Sequence, residues 1–282
     1  MSNSVFVPGH ITGFFTIENH EIKLKNGSCG AGFLLSRGVK TTVSQSDELV
    51  IEVNQGDSTV IDEVLSILEL DNTDFKITQD IQLPIGAGFG TSAASALSLI
   101  LALNEFLDLG YSQELCGQIA HMAEVNLGAG LGDVIAQTGH GMVLRTKPGA
   151  PGIGEIESFE KEVFIGWKTF GEIETSDIIL DPHYMKVISD SGAKYLELFE
   201  KNPSLENFLS FSLKFSNEID LMSEEVKTQI DYINSSIDIL GSSMAMLGNT
   251  IFAFAYNEDA FKKLNIENMY IDKLNNIGIV YD

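Results

Sequence analysis

Leu83 to Ala94 reads Leu-Pro-Ile-Gly-Ala-Gly-Phe-Gly-Thr-Ser-Ala-Ala, with Gly86, Gly88 and Gly90 between a strand-like run and a helix-like run that begins near Ser92. Glycine reaches positive φ and, lacking a Cβ, lets backbone approach a ligand closely. A turn of this kind leading into a helix aims unpaired N–H groups and the positive end of the helix dipole at one point, which suits a polyphosphate. Pro84 opens the turn, and Thr91 and Ser92 stand either to cap the helix or to lend a hydroxyl to a nucleotide-bound magnesium ion. No Lys follows the last glycine, so the loop is not a Walker A sequence. An unliganded turn is the plain alternative.

A second constellation spans His121 to Asp133. A helix is expected from Ser112 to Asn126, with His121 and Glu124 on neighbouring positions of one face. Leu127-Gly-Ala-Gly-Leu-Gly then delivers Asp133, expected to be ionised, to the start of a further short helix. A surface acid and an ordinary helix cap remain the plain readings of this pair. Arg145 is one of only two arginines, the other being Arg37. A guanidinium grips a carboxylate through a planar fork, so Arg145 is the candidate for an acidic acceptor, with a surface ion pair as the alternative. His10 and Thr12 follow Pro8-Gly9, which predicts a bend between two short strands in Ser4 to Ile17. Asn26 to Gly32 is another glycine-rich turn, where the Ser28 hydroxyl and the N–H groups after it can hold a carboxylate or simply close a hairpin.

These residues need a scaffold, and periodicity supplies one. Strands are expected at Phe33 to Leu35, Lys40 to Ser44, Glu48 to Asn54 and Phe75 to Leu83. Helices are expected over Ser58 to Leu70, capped by Ser58, and over Ala93 to Leu109, ended by Gly110. Gly139 to Arg145 reads as a turn into a strand. Lys147 to Gly154, with two prolines and three glycines, is the predicted boundary between units 1-150 and 151-282. Beyond it come a strand-like Ile156 to Phe170 and helical periodicity near Pro182 to Glu200, Leu205 to Ser216 and Ser223 to Ile237. A turn and strand follow in Gly241 to Phe254, with Met244 and Met246 read as core filler, then a helix and two strands from Asp259 to Tyr281. Strands and helices in two halves predict an α+β fold with two lobes.

Composition narrows the partners. The chain of 282 residues is 44% hydrophobic, enough for a sizeable core, and carries a formal net charge of −23 with 17 Lys+Arg. Such an acidic chain offers no basic face for nucleic acid or anionic membrane. Cys29 and Cys116 are far apart and suggest neither a disulfide framework nor a zinc site, and the most apolar run, Leu97 to Leu103, is too short to cross a bilayer. With no leader-like opening, a cytoplasmic location is expected. Composition and spacing alone therefore reach an anion- or nucleotide-binding site with two acids nearby.

Pro-x-x-x-Gly-Phe-Gly-Thr-Ser-Ala-Ala closely resembles the Pro-x-x-x-Gly-Leu-Gly-Ser-Ser-Ala-Ala loop of the GHMP kinases. Pro8 to Phe15, Ala120 to Val134 and Arg145 to Gly152 extend the resemblance, which is strongest toward the archaeal pantoate kinases. His10 stands where many members carry Lys or Arg, and Gly13-Phe14-Phe15 replaces the usual Gly-Glu-His, which separates the chain from the sugar and mevalonate branches. The resemblance implies a two-lobed GHMP-kinase-like α+β fold with a glycine-rich phosphate loop between a strand and a helix. It assigns 1-150 as the ATP-binding domain and 151-282 as a GHMP-like C-terminal domain. It implies ATP and Mg2+, with Pro84, Gly86, Ala87, Gly88, Phe89, Gly90, Thr91, Ser92 and Ala93 binding nucleotide. Ser92 and Glu124 would hold the metal, Asp133 would be catalytic, and His10, Thr12, Ser28, His121 and Arg145 would bind substrate. The implied reaction is ATP-dependent phosphorylation of pantoate to 4-phosphopantoate in coenzyme A biosynthesis. Its rivals are a homoserine, mevalonate or sugar kinase of the same family, or a non-catalytic nucleotide-binding regulator on the same scaffold. Partners are then ATP and pantoate, with no nucleic acid or membrane, and a homodimer left open.

Overall fold

The computed structural model describes residues 2–171 and 181–282. Its first sheet is built on two long antiparallel strands, β1 (Ser2–Phe15) and β2 (Gly30–Ser44). The bend expected at Pro8-Gly9 is instead a bulge inside one strand. Pro8 lies opposite Gly38, the register shifts between Pro8 and His10, and the His10 N–H leaves the ladder to donate to Phe89 O at 2.9 Å. A bulge accommodates a proline, which has no N–H to offer a ladder. Likewise β2 runs through Ser36-Arg37-Gly38 without the expected break.

On its far edge, β2 pairs with β4 (Lys76–Ile81) along its second half and with β5 (Met142–Lys147) along its first. β3 (Val50–Val53) lies parallel to β4, joined by helix α1 (Thr59–Ile67). Ser58 does not cap α1 through its side chain; its hydroxyl donates to Asp62 Oδ2 at 2.7 Å. Lys147 to Gly154 falls in the connection from β5 to β6 (Glu155–Phe159), which pairs back on β5. A second antiparallel sheet begins at β7 (Phe164–Thr169) and includes β8 (Gly241–Met244), β9 (Thr250–Ala255) and β10 (Tyr270–Lys273), in the order β10-β7-β9-β8. The last strand, β11 (Val280–Tyr281), returns to pair with β1.

Helix α2 (Thr91–Leu107) follows the glycine loop and is buried on nearly every side from Ala93 to Leu103. Its small residues permit close packing on the sheet, and a polar network fixes its register. Gln79 Nε2 donates to Thr41 Oγ1 and to Ser95 O, the Ser95 hydroxyl donates to Gln79 Oε1 at 2.6 Å, and Thr41 and Ser98 hydroxyls meet at 2.6 Å. A buried network satisfied in this way penalises any slip of the helix, since each broken bond strands a polar group away from water. The helix ends at Leu107 with Asp108 as its C-cap in the left-handed region (φ 52°), two residues before the expected Gly110 stop. Acidic and amide side chains tolerate that conformation better than most.

Two further helices close the first half's site region: α3 (Gln113–Leu127), capped by the Ser112 hydroxyl, and α4 (Asp133–Gln137) beside it. In the second half α5 (Pro182–Lys201) packs on α6 (Leu205–Ile219) and on β1 of the first sheet, while α6, α7 (Glu224–Asn234) and α8 (Asp259–Leu264) flank the second sheet. One core joins the two sheets. Phe33 of β2 meets Phe208 of α6 at 5.9 Å, Phe252 at 5.1 Å and Phe254 at 4.8 Å, all edge-on. Such pairs add roughly 0.5–1.5 kcal/mol each beyond burial. Among the described residues no helix is long and apolar enough to cross a membrane.

Candidate active site

The glycine loop adopts the backbone that its sequence predicts. Gly86, Gly88 and Gly90 have φ of 69°, 83° and 59°, and Gly90 is the N-cap of α2 without a side-chain cap bond. Among the described residues the N–H groups of these three glycines donate to no protein acceptor, so they remain free for an anion. Thr91 turns its hydroxyl back to Pro84 O at 3.1 Å, closing the loop, and Gln137 Nε2 donates to Gly90 O at 2.8 Å. From the second half, Thr250 Oγ1 donates to Ala87 O at 2.8 Å. Gly248 lies so close that a Cβ there would stand 2.1 Å from the same oxygen. Phe89 is buried and packs edge-on against Trp167 at 4.8 Å.

A cavity of about 360 Å³ opens over this loop. Gly86, Gly88, Phe89, Gly90, Thr91 and Ser92 line it, as do Glu124, Asp133, Thr12, Ser28 and Arg145. Pro84, Ala87 and Ala93 do not line it. Residues 127–132, Phe15, Ile85, Met246 and Leu247 complete the lining. Met246, read from sequence as filler, thus also faces the cavity, because its hairpin tip reaches across to the loop.

Ser92 donates its hydroxyl to Glu124 Oε1 in a short contact. Glu124 is 3% exposed, and burial pushes its carboxyl up to about 7, with the Ser92 bond opposing and the Asp133 charge adding. Glu124 Oε2 and Asp133 Oδ2 both border the space beside Gly130. Asp133 opens α4, and its Oδ1 lies 2.7 Å from His10 Nδ1. Burial alone would raise the Asp133 carboxyl. The His10 hydrogen bond and the nearby Arg145 charge outweigh it and hold the group below its ordinary value, hence ionised. His10 is fully buried, and burial lowers its basicity against the pull of Asp133, which leaves the ring neutral.

Arg145 is 1% exposed yet has no carboxylate partner within ion-pair distance among the described residues. Its Nε donates to Ser28 O at 3.3 Å, and its terminal nitrogens reach Thr12 Oγ1 at 3.4 Å. Arg37, the other arginine, pairs with Asp272 far from the loop. The turn after Ser28 offers less than expected, because the Cys29 N–H donates to Thr16 Oγ1 at 3.3 Å; the Ser28 side chain faces the cavity. His121 lies off the cavity, with Nε2 3.3 Å from Lys23 O, where it braces a short 3-10 turn, Lys23–Lys25. Phe14 is absorbed into the aromatic core against Phe199 at 5.7 Å, and only Phe15 of that pair reaches the cavity.

The donor set also suits a magnesium ion that arrives with a nucleotide. Among the described residues no cluster of three or more His, Cys, Asp or Glu would hold a metal alone. One buried carboxylate and one hydroxyl beside free loop N–H groups match magnesium's habit of taking few protein ligands and several phosphate oxygens.

Residues 58–141 match the family described as GHMP kinases N terminal domain. The chain is 37% identical over 225 residues to the pantoate kinase of Methanocaldococcus jannaschii, covering 79% of this chain and 82% of that protein. It is 35% identical to the pantoate kinase of Thermococcus kodakarensis over 78% and 77% of the two chains. A solved phosphotransferase related to the CoA biosynthesis pathway superposes with a TM-score of 0.88 at 28% identity, covering 100% of this chain and 99% of its own. A mevalonate kinase structure, at a TM-score of 0.68 and 15% identity, shares the fold. The chain belongs to the GHMP kinase superfamily of small-molecule kinases, with the family's two-lobed α+β fold. Within it, the chain is closely related to the pantoate kinases of archaea.

Proposed function

We propose that the protein is an ATP-dependent phosphotransferase with an alcohol as acceptor, and that the acceptor is pantoate, which becomes 4-phosphopantoate. The observation that carries this reading is a buried guanidinium, Arg145, with no carboxylate within ion-pair distance among the described residues, opening on the same cavity as an ionised Asp133 and a glycine-rich loop. A carboxylate matches the first, a hydroxyl the second and a nucleotide the third. The likeness to pantoate kinases at 30–37% identity supports the choice among hydroxy acids.

In this reading the free N–H groups of Gly86, Gly88 and Gly90 bind the triphosphate at the head of α2. Ser92 and Glu124 would hold magnesium, which supplies charge neutralisation on the phosphates. Arg145, steadied by Thr12 and Ser28 O, fixes the acceptor carboxylate. Asp133 accepts the hydrogen bond of the acceptor hydroxyl and turns its oxygen toward the terminal phosphate, so that attack is in line. Residues 127–132 cover the acids from one side.

The test is ADP release by the purified protein with MgATP, comparing D-pantoate with homoserine, mevalonate, sugars and no acceptor. Stimulation by pantoate alone is expected. The Asp133→Asn variant should lose kcat while keeping ATP affinity, and Arg145→Met should raise the KM for pantoate far more than that for ATP. Equal stimulation by neutral sugars would refute the carboxylate role.

A further inference from the structure

His10 is a polar residue at the centre of the site that does not line the cavity. It is fully buried on β1, held by its own N–H to Phe89 O, and its ring stands between two groups that do face the cavity. Nδ1 is 2.7 Å from Asp133 Oδ1 and Nε2 is 3.4 Å from Arg145 Nη1. A guanidinium only donates hydrogen bonds, so Nε2 must accept from Arg145. The ring proton must then sit on Nδ1, where it is donated to the carboxylate. Gly32 of β2 makes room for this ring, since a Cβ there would stand 2.3 Å from Nε2. The charged and titratable groups around the ring are Asp133 at the head of α4 and Arg145 on β5, with Glu124 of α3 beyond the first and the Cys29 thiol beyond the second.

We propose that His10 is a positioning residue that ties the carboxylate-binding Arg145 to the acceptor-site Asp133 through a fixed Nδ1–H tautomer. One ring and two hydrogen bonds then set the separation between the places where the acceptor's two ends are held. That separation selects a hydroxy acid by its length. The substrate residue expected at position 10 is thereby a residue that acts through two others. The kinetic arm of this inference rests on the phosphotransfer reading; its spectroscopic arm does not.

The first measurement is nitrogen-15 NMR of histidine-labelled protein without ligands. A neutral Nδ1–H signal for His10, assigned by its loss in His10→Asn and stable across neutral pH, is expected. An Nε2–H tautomer, or a ring that becomes charged in that range, would overturn the proposal whatever the substrate is. The second measurement uses two amide replacements. Asn presents its N–H₂ near the place of Nδ1 and keeps the bond to Asp133, whereas Gln presents its amide near Nε2 and keeps an acceptor for Arg145. His10→Asn should therefore raise the acceptor KM with kcat largely kept, and His10→Gln should lower kcat with KM largely kept, each on the order of 10–100-fold. Circular dichroism establishes that each variant is folded. If both folded variants change kcat and KM in the same proportion, His10 is structural and the proposal fails. If pantoate proves not to be the acceptor, the same split is read with whichever alcohol is phosphorylated.

Discussion

Replacing Glu124 by Gln should make the ligand-free protein more stable, and by an amount that depends on pH. Burial lifts the Glu124 carboxyl from an ordinary 4.5 to about 7, so between these values the folded chain binds a proton that the unfolded chain releases. Stability therefore falls as pH rises through that window. The penalty is absent below about pH 4.5 and complete above about pH 7. With one unit worth about 1.4 kcal/mol, the ionised carboxylate costs about 3 kcal/mol. Gln cannot ionise, and its Oε1 still accepts the Ser92 hydroxyl. In the presence of EDTA, E124Q should exceed the wild type by about 3 kcal/mol at roughly pH 8, or about 5–10 °C in Tm, and match it near about pH 5. Thermal unfolding followed by circular dichroism across that range gives the comparison. MgATP should reverse the order at the higher pH, because only the wild type offers a carboxylate to the ion. A Tm difference that is the same at both ends of the range, or a less stable E124Q at the upper end, would refute the reasoning.

Other consequences follow from the loop and its supports. Gly248→Ala drives a Cβ to 2.1 Å from Ala87 O, and backbone offers no flexible end to move aside, so the loop must shift. The KM for ATP should rise on the order of 10-fold with a stability loss of about 1–3 kcal/mol, and an unchanged KM would mean that the hairpin does not set the loop. Trp167 is the sole tryptophan and lies 4.8 Å from the Phe89 ring, so MgATP should change the intrinsic emission in a saturable way. A flat titration at concentrations that support turnover would place the nucleotide elsewhere. Gln79→Leu leaves the Ser95 hydroxyl and carbonyl without that partner and Thr41 with Ser98 alone, and should cost about 2–3 kcal/mol in urea unfolding, with kcat nearly unchanged; a loss below about 0.5 kcal/mol would show that the network does not anchor α2.

The parts of the site encoded within a few residues were legible in the sequence. Positive φ at three alternating glycines has a local cause, and Glu124 and Asp133 announce themselves by their positions around a glycine-rich bend. The elements were also legible where periodicity is strong, as in α2, α3 and the helices of the second half. Long-range pairing was not. Pro8 and the Ser36-Arg37-Gly38 stretch look like breaks when read alone, yet Pro8 and Gly38 lie opposite each other and the two weak spots share one bulged ladder. His10 meets Asp133 across 123 residues, so no spacing rule could reveal that it faces a carboxylate rather than a ligand. Thr250 offered one faint signal, a hydroxyl at the start of the otherwise apolar run Ile251 to Ala255, which has to find a partner when buried.

That partner is Ala87, 163 residues earlier in the chain, and the separation has a meaning in time. On a ribosome adding roughly 5–20 residues each second, the glycine loop emerges on the order of 10–30 s before the hairpin that clamps it. Until then Ala87 O has no hydroxyl to accept and Phe89 has no Trp167 face to lean on. A nascent chain therefore cannot hold its glycine loop in the finished form until the β8–β9 hairpin has been made, so a late segment completes an early one.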